Sequence, residues 1–294
     1  MTLIHNPGAG EGGHEQDDLV AALRSAGHEV VFGDGERLEA SLEEPGDLVA
    51  VAGGDGTVRD VLRPLAGRGV PVGVLPLGSA NNIARWLGIE PPEDIAAAIR
   101  SWEGAPRRRF DVWEVSWSGH RRRFVESFGG GLMADVIARA DAMAEDPGRD
   151  EKLEIGLRML CDVAASGDAR AWELVAADGA IAGDLLGFEL MNVGETGPAI
   201  RLAPGADAGD GALDVVPVPV SAGALLRDYA RERLAGGTPE LPPFASSRWC
   251  EVTVRPPDGA LLRLDDEVLD VLEAAELTVS GGGELAVDIV IPEL

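Results

Sequence analysis

Along the first hundred residues the apolar positions fall into short β-branched runs that alternate with stretches of helical spacing. Thr2-Leu3-Ile4 reads as a strand, and Leu19, Val20, Leu23 and Ala26 then recur at the period of a helix. A run through Leu48-Val49-Ala50-Val51-Ala52, bounded by Pro45-Gly46 and a glycine cluster, predicts a buried strand; Val58, Val61, Leu62 and Leu65 predict the helix after it. Val70 to Leu77 followed by Ile83-Ala84-Arg85-Trp86-Leu87 repeats the unit, and Ile95 to Ile99 adds another helical stretch. Such alternation is the signature of a parallel sheet.

Near residue 105 the pattern changes to the two-residue period of a strand. Phe110 to Val115 and Arg123 to Phe128 alternate, and so do segments at Trp172 to Ala176, Leu185 to Asn192, Leu213 to Val220, Cys250 to Val254 and Leu272 to Val279. Helical spacing intervenes from Ala134 to Ala165 and from Ala222 to Leu234, the second ending at Gly236-Gly237. The expected fold is therefore α/β plus β-sandwich: an N-terminal parallel α/β domain, then a mainly antiparallel sandwich.

Three predicted strands of the first part end in polar, glycine-rich loops, on the side where α/β sheets bind ligands. These are Asn6-Pro7-Gly8-Ala9-Gly10-Glu11-Gly12-Gly13, Gly53-Gly54-Asp55-Gly56-Thr57 and Gly78-Ser79-Ala80-Asn81-Asn82. Glycines at 53, 54 and 56 let the backbone approach an anion and turn its N–H groups toward it. The loop also opens onto a helix N-terminus, which favours negative charge, with Thr57 as the expected cap. Asp55 is the odd member. A carboxylate beside phosphates repels them unless it holds a metal ion or accepts a proton from an attacking hydroxyl, and the bland reading makes it a helix-entry residue only.

Length and charge narrow the function. A chain of 294 residues has room for two domains with sizeable cores. No segment has the length of a membrane span, and no basic-then-apolar leader precedes the first strand, so neither spanning nor secretion is expected. A net charge of −26 argues against nucleic acid as a partner. Cys161 and Cys250 are outside any ligand spacing, which predicts a reducing compartment without structural zinc; His5, His14, His28 and His120 form no ligand pattern. Lys152 is the only lysine, and two arginine triplets, Arg107-Arg108-Arg109 and Arg121-Arg122-Arg123, flank Trp113 to Trp117. They read either as contacts for anionic lipid headgroups or as a solvated hairpin edge turning at Ser118-Gly119.

Three motifs together, GGDGT at 53 to 57, NPGAG at 6 to 10 and PLGSANN at 76 to 82, resemble the diacylglycerol kinase and sphingosine kinase family, within the NAD kinase-like superfamily. The second half is similar too, in Leu202-Ala203-Pro204, in Asp210-Gly211-Ala212-Leu213-Asp214-Val215-Val216, and in Leu264-Asp265-Asp266-Glu267, where the family usually has Asp-Gly-Glu. GGDGT alone is shared with NAD kinases and resembles a phosphofructokinase loop. What the resemblance implies is an ATP-dependent lipid kinase acting on the hydroxyl of a diacylglycerol-like or sphingoid-like lipid. It further implies an α/β nucleotide-binding domain over 1–106 with 281–294, a sandwich substrate domain over 107–280, and an active site in the cleft between them. The last strand, Leu285 to Ile291, would return to the first domain. A cytoplasmic enzyme of phospholipid metabolism, peripheral to its membrane, follows, with no nucleic-acid partner and room for a homodimer.

By the same resemblance, Asn6, Pro7, Gly8, Ala9, Gly10, Gly53, Gly54, Asp55, Gly56, Thr57, Val58, Arg59 and Ser79 would hold ATP. Glu267 matches the glutamate taken as general base, Asp111 an acid near the acceptor hydroxyl, and Asp210 a ligand of a structural Mg2+ to which Asp207 and the Ala212 carbonyl would add. Asp55, Asp265 and Asp266 would supply a field around Glu267 or recruit magnesium. The residues alone leave plainer readings open: Glu267 as a hairpin tip, and Asp210 and Asp214 as turn residues bonding their own backbone. Departures are Asn82 for the usual aspartate, Asp266 for glycine, Ser79 for threonine, Glu126 and Arg59 for asparagines, and Gly33-Asp34-Gly35 without the usual threonine. Asp266 is expected to forbid the positive φ that glycine allows. A kinase of a soluble alcohol, or a nucleotide- or lipid-binding protein that has lost catalysis, stand as alternatives.

Overall fold

The computed structural model describes residues 1–9, 15–33, 38–78, 81–143, 149–197, 200–269 and 276–292. Gly10 to His14, Asp34 to Arg37, Ser79, Ala80 and the start of the Leu272 to Val279 segment lie outside the described residues. The chain divides into two compact units, Met1–Val112 with Gly282–Leu294, and Trp113–Gly281.

The first unit runs β1 (Thr2–His5), α1 (Gln16–Ser25), β2 (Val31–Phe32), α2 (Leu38–Ser41), β3 (Val49–Gly53), α3 (Asp55–Leu65), β4 (Val72–Pro76), α4 (Asn82–Leu87), α5 (Ile95–Arg100) and the start of β5 (Arg107–Trp117). Its sheet is parallel in the order β2-β1-β3-β4, with Leu3 opposite Ala50 and Ala50 opposite Gly73. One face of that sheet carries Leu3, Ala50, Ala52 and Leu75, packed by Leu19 and Leu23 of α1 and by Ala98 and Ile99 of α5. Trp102 belongs to the same cluster and packs against β4, where a Cβ on Gly73 would come within 2.8 Å of its ring. Val49 and Val51 alternate to the opposite face, and α3 packs against β3 through its buried Val58, Val61, Leu62 and Leu65. Because β1 leads outward to β2 while β3 lies on its other side, the strand order reverses between β1 and β3. Sheets of this kind bind ligands at such a reversal.

The second unit holds β6 (His120–Phe124), β7 (Ser127–Gly131), α6 (Leu132–Asp141), α7 (Arg149–Ser166), β8 (Arg170–Ala176), β9 (Gly179–Met191), β10 (Glu195–Thr196), β11 (Ile200–Arg201), β12 (Leu213–Pro219), α8 (Ala222–Leu234), β13 (Ser247–Trp249), β14 (Val252–Arg255), β15 (Leu262–Leu264) and β16 (Glu267–Leu269), with the first residues of β17 (Leu277–Val290). Its pairings are antiparallel. The long β9 organises them, its first half pairing β8 and its second half β7 along one edge, with β12 on the other. Trp113, Phe124, Phe128, Trp172, Phe188 and Leu190 belong to one apolar core cluster, with edge-to-face contact between Trp172 and Phe188 at 5.0 Å. β17 ends parallel to β4, Ile289 opposite Val72, so the last strand does return to the first sheet.

Two predicted segments are broken. The helical stretch Ala134 to Ala165 is two helices, α6 and α7, and the strand expected over Arg123 to Phe128 stops at Phe124 and resumes at Ser127. The cause of the second break lies 139 residues further on, in a carboxylate described below.

Candidate active site

The three polar loops of the first unit are stitched to one another mainly through backbone. α3 has Gly54 as its N-cap at φ −96° and ψ −171°, a residue with no side chain to accept from the first turn. Thr57 is therefore not the cap that the sequence suggests; it sits within the first turn, and its side chain folds back over Gly53, where a Cβ would lie 2.6 Å from Thr57 Oγ1. With a glycine cap the N–H groups of Asp55, Gly56 and Thr57 have no acceptor within the helix, and the first bond of the α-ladder runs from Val58 N–H to the Gly54 carbonyl at 3.0 Å. That is the arrangement in which a helix start receives an anion.

Neighbouring loops hold this turn from two sides. Asn6 Nδ2 donates to Thr57 Oγ1 at 3.3 Å while Asn6 Oδ1 accepts the Gly8 N–H at 3.0 Å, so the loop after β1 curls over its own asparagine. The N–H groups of Leu77 and Gly78 both donate to the Gly53 carbonyl, at 3.0 and 3.2 Å. Gly78 and Gly54 touch backbone to backbone: a Cβ on Gly78 would fall 2.2 Å from Gly54 Cα. Asn81, in the left-handed region at φ 50°, donates from its amide to the Pro76 carbonyl at 3.2 Å and the Gly78 carbonyl at 2.6 Å. Asp55 reaches across to accept the Ile83 N–H at 2.9 Å in the first turn of α4, so it joins two loops as well as entering a helix. Val58 and Arg59 are buried in α3, away from solvent. Gly10 and Ser79, expected to complete the nucleotide set, lie outside the described residues. Asp111 is wholly buried on β5, its Oδ1 3.4 Å from Arg109 Nε, and Arg109 in turn donates to the Gly283 carbonyl.

In the second unit the acidic motif forms the two-residue hairpin β15–β16, Leu264 pairing Glu267 across Asp265 and Asp266. The positive φ of that turn falls on Asp265, at 52°, and not on Asp266. The expected clash of Asp266 with a glycine-only conformation is thus removed, because the left-handed residue is the preceding aspartate, a type that tolerates αL. Asp265 does not stand ready for a cation. Its buried carboxylate accepts the N–H groups of Val125 at 3.2 Å, Glu126 at 2.7 Å and Ser127 at 3.1 Å, which pulls the chain off the ladder between β6 and β7. Beneath it Arg263, 1% exposed, donates to the Asp265 carbonyl, to Ser127 Oγ, to Glu189 and to Thr196. Burial pushes the Glu189 carboxyl up from the ordinary glutamate value, with Arg263 opposing. Asn192 accepts from Trp113 Nε1 at 3.0 Å and donates to the Val125 carbonyl at 2.7 Å, completing the polar layer.

Glu189, Arg263 and Asn192 are absent from the sequence-derived set. Their one signal is Gly129-Gly130-Gly131 inside a strand, a mark of close approach: a Cβ on Gly129 would lie within 2.5 Å of the Glu189 carboxylate. Glu267 itself is half exposed, and its Oε2 is 2.9 Å from Nη2 of Arg122 on β6.

Asp210 and Asp207 share a turn, the Asp210 N–H donating to the Asp207 carbonyl at 3.3 Å. The Asp210 carboxylate accepts the Ala212 N–H at 2.9 Å on one oxygen and pairs with Arg248 on the other, and Asp207 accepts the Gly209 N–H at 3.1 Å. A cation would have to displace Arg248. Among the described residues no group of three or more His, Cys, Asp or Glu could hold a metal ion; the set expected here, two carboxylates and the Ala212 carbonyl, is smaller than such a group and would hold Mg2+ only with Arg248 displaced from Asp210.

A parallel sheet with glycine loops at its reversal, continued into an antiparallel unit, is the NAD kinase-like fold. Yeast NADH kinase superposes with a TM-score of 0.57 at 10% identity over 99% of this chain and 83% of its own, and a diacylglycerol kinase from Bacillus anthracis str. Sterne with 0.69 at 18% over 98% and 95%. The family model described as "Diacylglycerol kinase catalytic domain" matches residues 1–115, and the Pseudomonas aeruginosa protein called "Probable lipid kinase YegS-like" is 32% identical over 92% of this chain and 88% of that protein. The chain belongs to this diacylglycerol kinase-type family of lipid kinases. It is a kinase by that membership, and the family implies use of a nucleotide.

Proposed function

We propose that the protein is an ATP-dependent kinase that transfers the γ-phosphoryl group to the hydroxyl of a diacylglycerol-like or sphingoid-like lipid, working from the cytoplasm at a membrane surface. The observation that carries the nucleotide half of this reading is the uncapped first turn of α3, presented between the Asn6 loop and the Gly78 loop at the reversal of the sheet. The lipid half is supported by the name of the Pseudomonas aeruginosa relative, and no helix among the described residues is long and apolar enough to cross a membrane.

In the reaction the N–H groups of residues 55–57 and the glycine backbone of residues 53–54 bind the phosphates, and Asp55, fixed by Ile83, holds the two loops in register. Glu267 takes the proton of the acceptor hydroxyl. The acceptor oxygen then bonds to the γ-phosphorus as the bond from that phosphorus to the bridging oxygen breaks, releasing ADP. A divalent metal, when bound, would neutralise charge on the phosphates. The Asp207–Ala212 turn is not assigned that role.

The test is transfer of labelled γ-phosphate to lipids in mixed micelles. Glu267→Gln should lower kcat on the order of 10²–10⁴-fold with ATP binding retained, the range for loss of a general base. Asp55→Asn keeps an oxygen for the Ile83 N–H, so a large loss there would assign Asp55 a role for its charge. Transfer only to soluble alcohols would refute the lipid acceptor, and undiminished transfer by Glu267→Gln would refute the base.

A further inference from the structure

The register of the β5–β6 hairpin sorts its arginines onto two faces. Glu114 opposite Arg123 and Ser116 opposite Arg121 lie on one, and there Glu114 meets both arginines, Arg121 at 3.5 Å and Arg123 at 3.6 Å. Trp113 opposite Phe124 and Val115 opposite Arg122 lie on the other, whose Trp113, Val115 and Phe124 belong to the apolar core. Arg122 is therefore a cation on the core side of its strand, two residues from a buried phenylalanine. The β15–β16 hairpin repeats the pattern with the opposite charge. Leu262 opposite Leu269 and Leu264 opposite Glu267 share one face, and the three leucines belong to the same core, so Glu267 is a carboxylate on a core-facing position.

Both side chains leave apolar faces and carry their charged heads to the rim, where each is about half exposed. They meet there: Arg122 Nη2 donates to Glu267 Oε2 at 2.9 Å, beside a cavity of about 280 Å³ lined also by Trp117, Val268 and Leu269. We propose that Arg122 is a positioning residue for phosphoryl transfer, holding Glu267 by Oε2 so that Oε1 is the oxygen that takes the proton of the acceptor hydroxyl. A carboxylate with one oxygen hydrogen-bonded keeps a second basic oxygen, and a charge-assisted bond to the first fixes where the second points. The pair stays closed throughout: the hydroxyl proton moves to Oε1, the acceptor oxygen bonds to the γ-phosphorus, and the bond from that phosphorus to the bridging oxygen breaks as ADP leaves. A neutral diacylglycerol-like acceptor asks nothing more of Arg122. This inference rests on the reading of Glu267 as base.

The experiment measures transfer from ATP to diacylglycerol and to sphingosine in neutral detergent micelles by Arg122→Gln, Arg122→Lys and Arg121→Gln. A half-exposed pair holds its members loosely, and a misplaced reacting group slows the step without weakening binding, so kcat should fall about 3–10-fold in Arg122→Gln. KM for ATP and for the lipid, and the urea midpoint, should stay where they are in wild type. Arg122→Lys still brings a cationic donor to Oε2 and should recover part of the loss. Arg121→Gln removes the same charge from the opposite face and should keep its kcat. The cycle with Glu267→Gln separates positioning from structure: once the base is gone, Arg122→Gln should cost nothing more. Unchanged kcat in Arg122→Gln, or the same further loss in the Glu267→Gln background, overturns the inference and leaves the base standing. An equal fall in Arg121→Gln would assign the effect to the charge of the whole hairpin and overturn it too. Undiminished transfer by Glu267→Gln, or transfer by wild type to neither lipid, would instead sink the reading on which it rests.

Discussion

The glycine loops of the first unit and the acidic hairpin of the second are built by opposite means. In the loops, contacts are made largely by backbone: Gly54 against Gly78 and the Gly53 carbonyl taking two N–H groups, with Asn6, Asp55, Thr57 and Asn81 adding side-chain bonds. In the hairpin the backbone is held by buried polar side chains, Asp265 gathering three N–H groups and Arg263 joining Glu189, Thr196 and Ser127. A surface meant for a polyanion gains from bare N–H groups and loses from carboxylates, so glycine suits it. A turn that must carry one acid at a fixed place on the sheet needs rigid anchors, and a fully connected buried network supplies them.

Removing one ion from the hairpin network should have the largest effect on stability. Glu189→Ala leaves Arg263 buried without its carboxylate, and we expect a loss of about 3–5 kcal/mol, read from the urea midpoint at constant m-value. Glu189→Gln should cost less. The pH dependence has a definite sign. Burial raises the folded-state value of Glu189 above its ordinary 4.5, so the folded protein binds this proton more tightly than the unfolded chain does. Its contribution is complete below about that ordinary value and is lost as pH rises through the raised one. The stability of wild type relative to Glu189→Gln should therefore decline from acid toward neutral pH. A flat difference would show that the carboxyl titrates alike in both states.

A smaller effect is expected where the loops touch. In Gly78→Ala the new methyl would sit 2.2 Å from Gly54 Cα, backbone against backbone with no flexible end to move aside. Overpacking of this kind costs about 1–3 kcal/mol. Because the strained contact lies at the α3 cap, ATP affinity should fall together with the melting temperature. Wild-type affinity in a destabilised variant would separate the loop contact from the nucleotide site and weaken the case that both belong to one device.

The same contrast explains what was legible in the amino-acid sequence. Strands β1, β3 and β4 and the helices between them announce themselves by local period, and the glycine loops by composition, since both depend on neighbours in the chain. The hairpin network does not. Asp265 acts on Val125, Glu126 and Ser127 from about 140 positions away; nothing local in that segment marks where the strand must break. Arg122 reads as one of a charged triplet until the fold brings it to Glu267. Asp266 looked strained for a related reason, because which of two turn residues takes the positive φ is settled by the anchoring of Asp265 and not by the pair of letters.

Thr57 tests the finest distinction, between a residue that caps a helix and one that sits in its first turn. Threonine after a glycine loop has the chemistry of a cap, yet the cap position is defined by non-helical backbone, and that belongs to Gly54. The hydroxyl then has Asn6 for its partner, at 3.3 Å across the sheet reversal. If the side chain serves that bond, Thr57→Ala and Asn6→Ala remove the same interaction, and the double variant should be less damaged than the two losses added together. A coupling of about 0.5–1 kcal/mol is expected from a bond of this strength. If Thr57 were a cap acting on its own helix, the two losses would simply add.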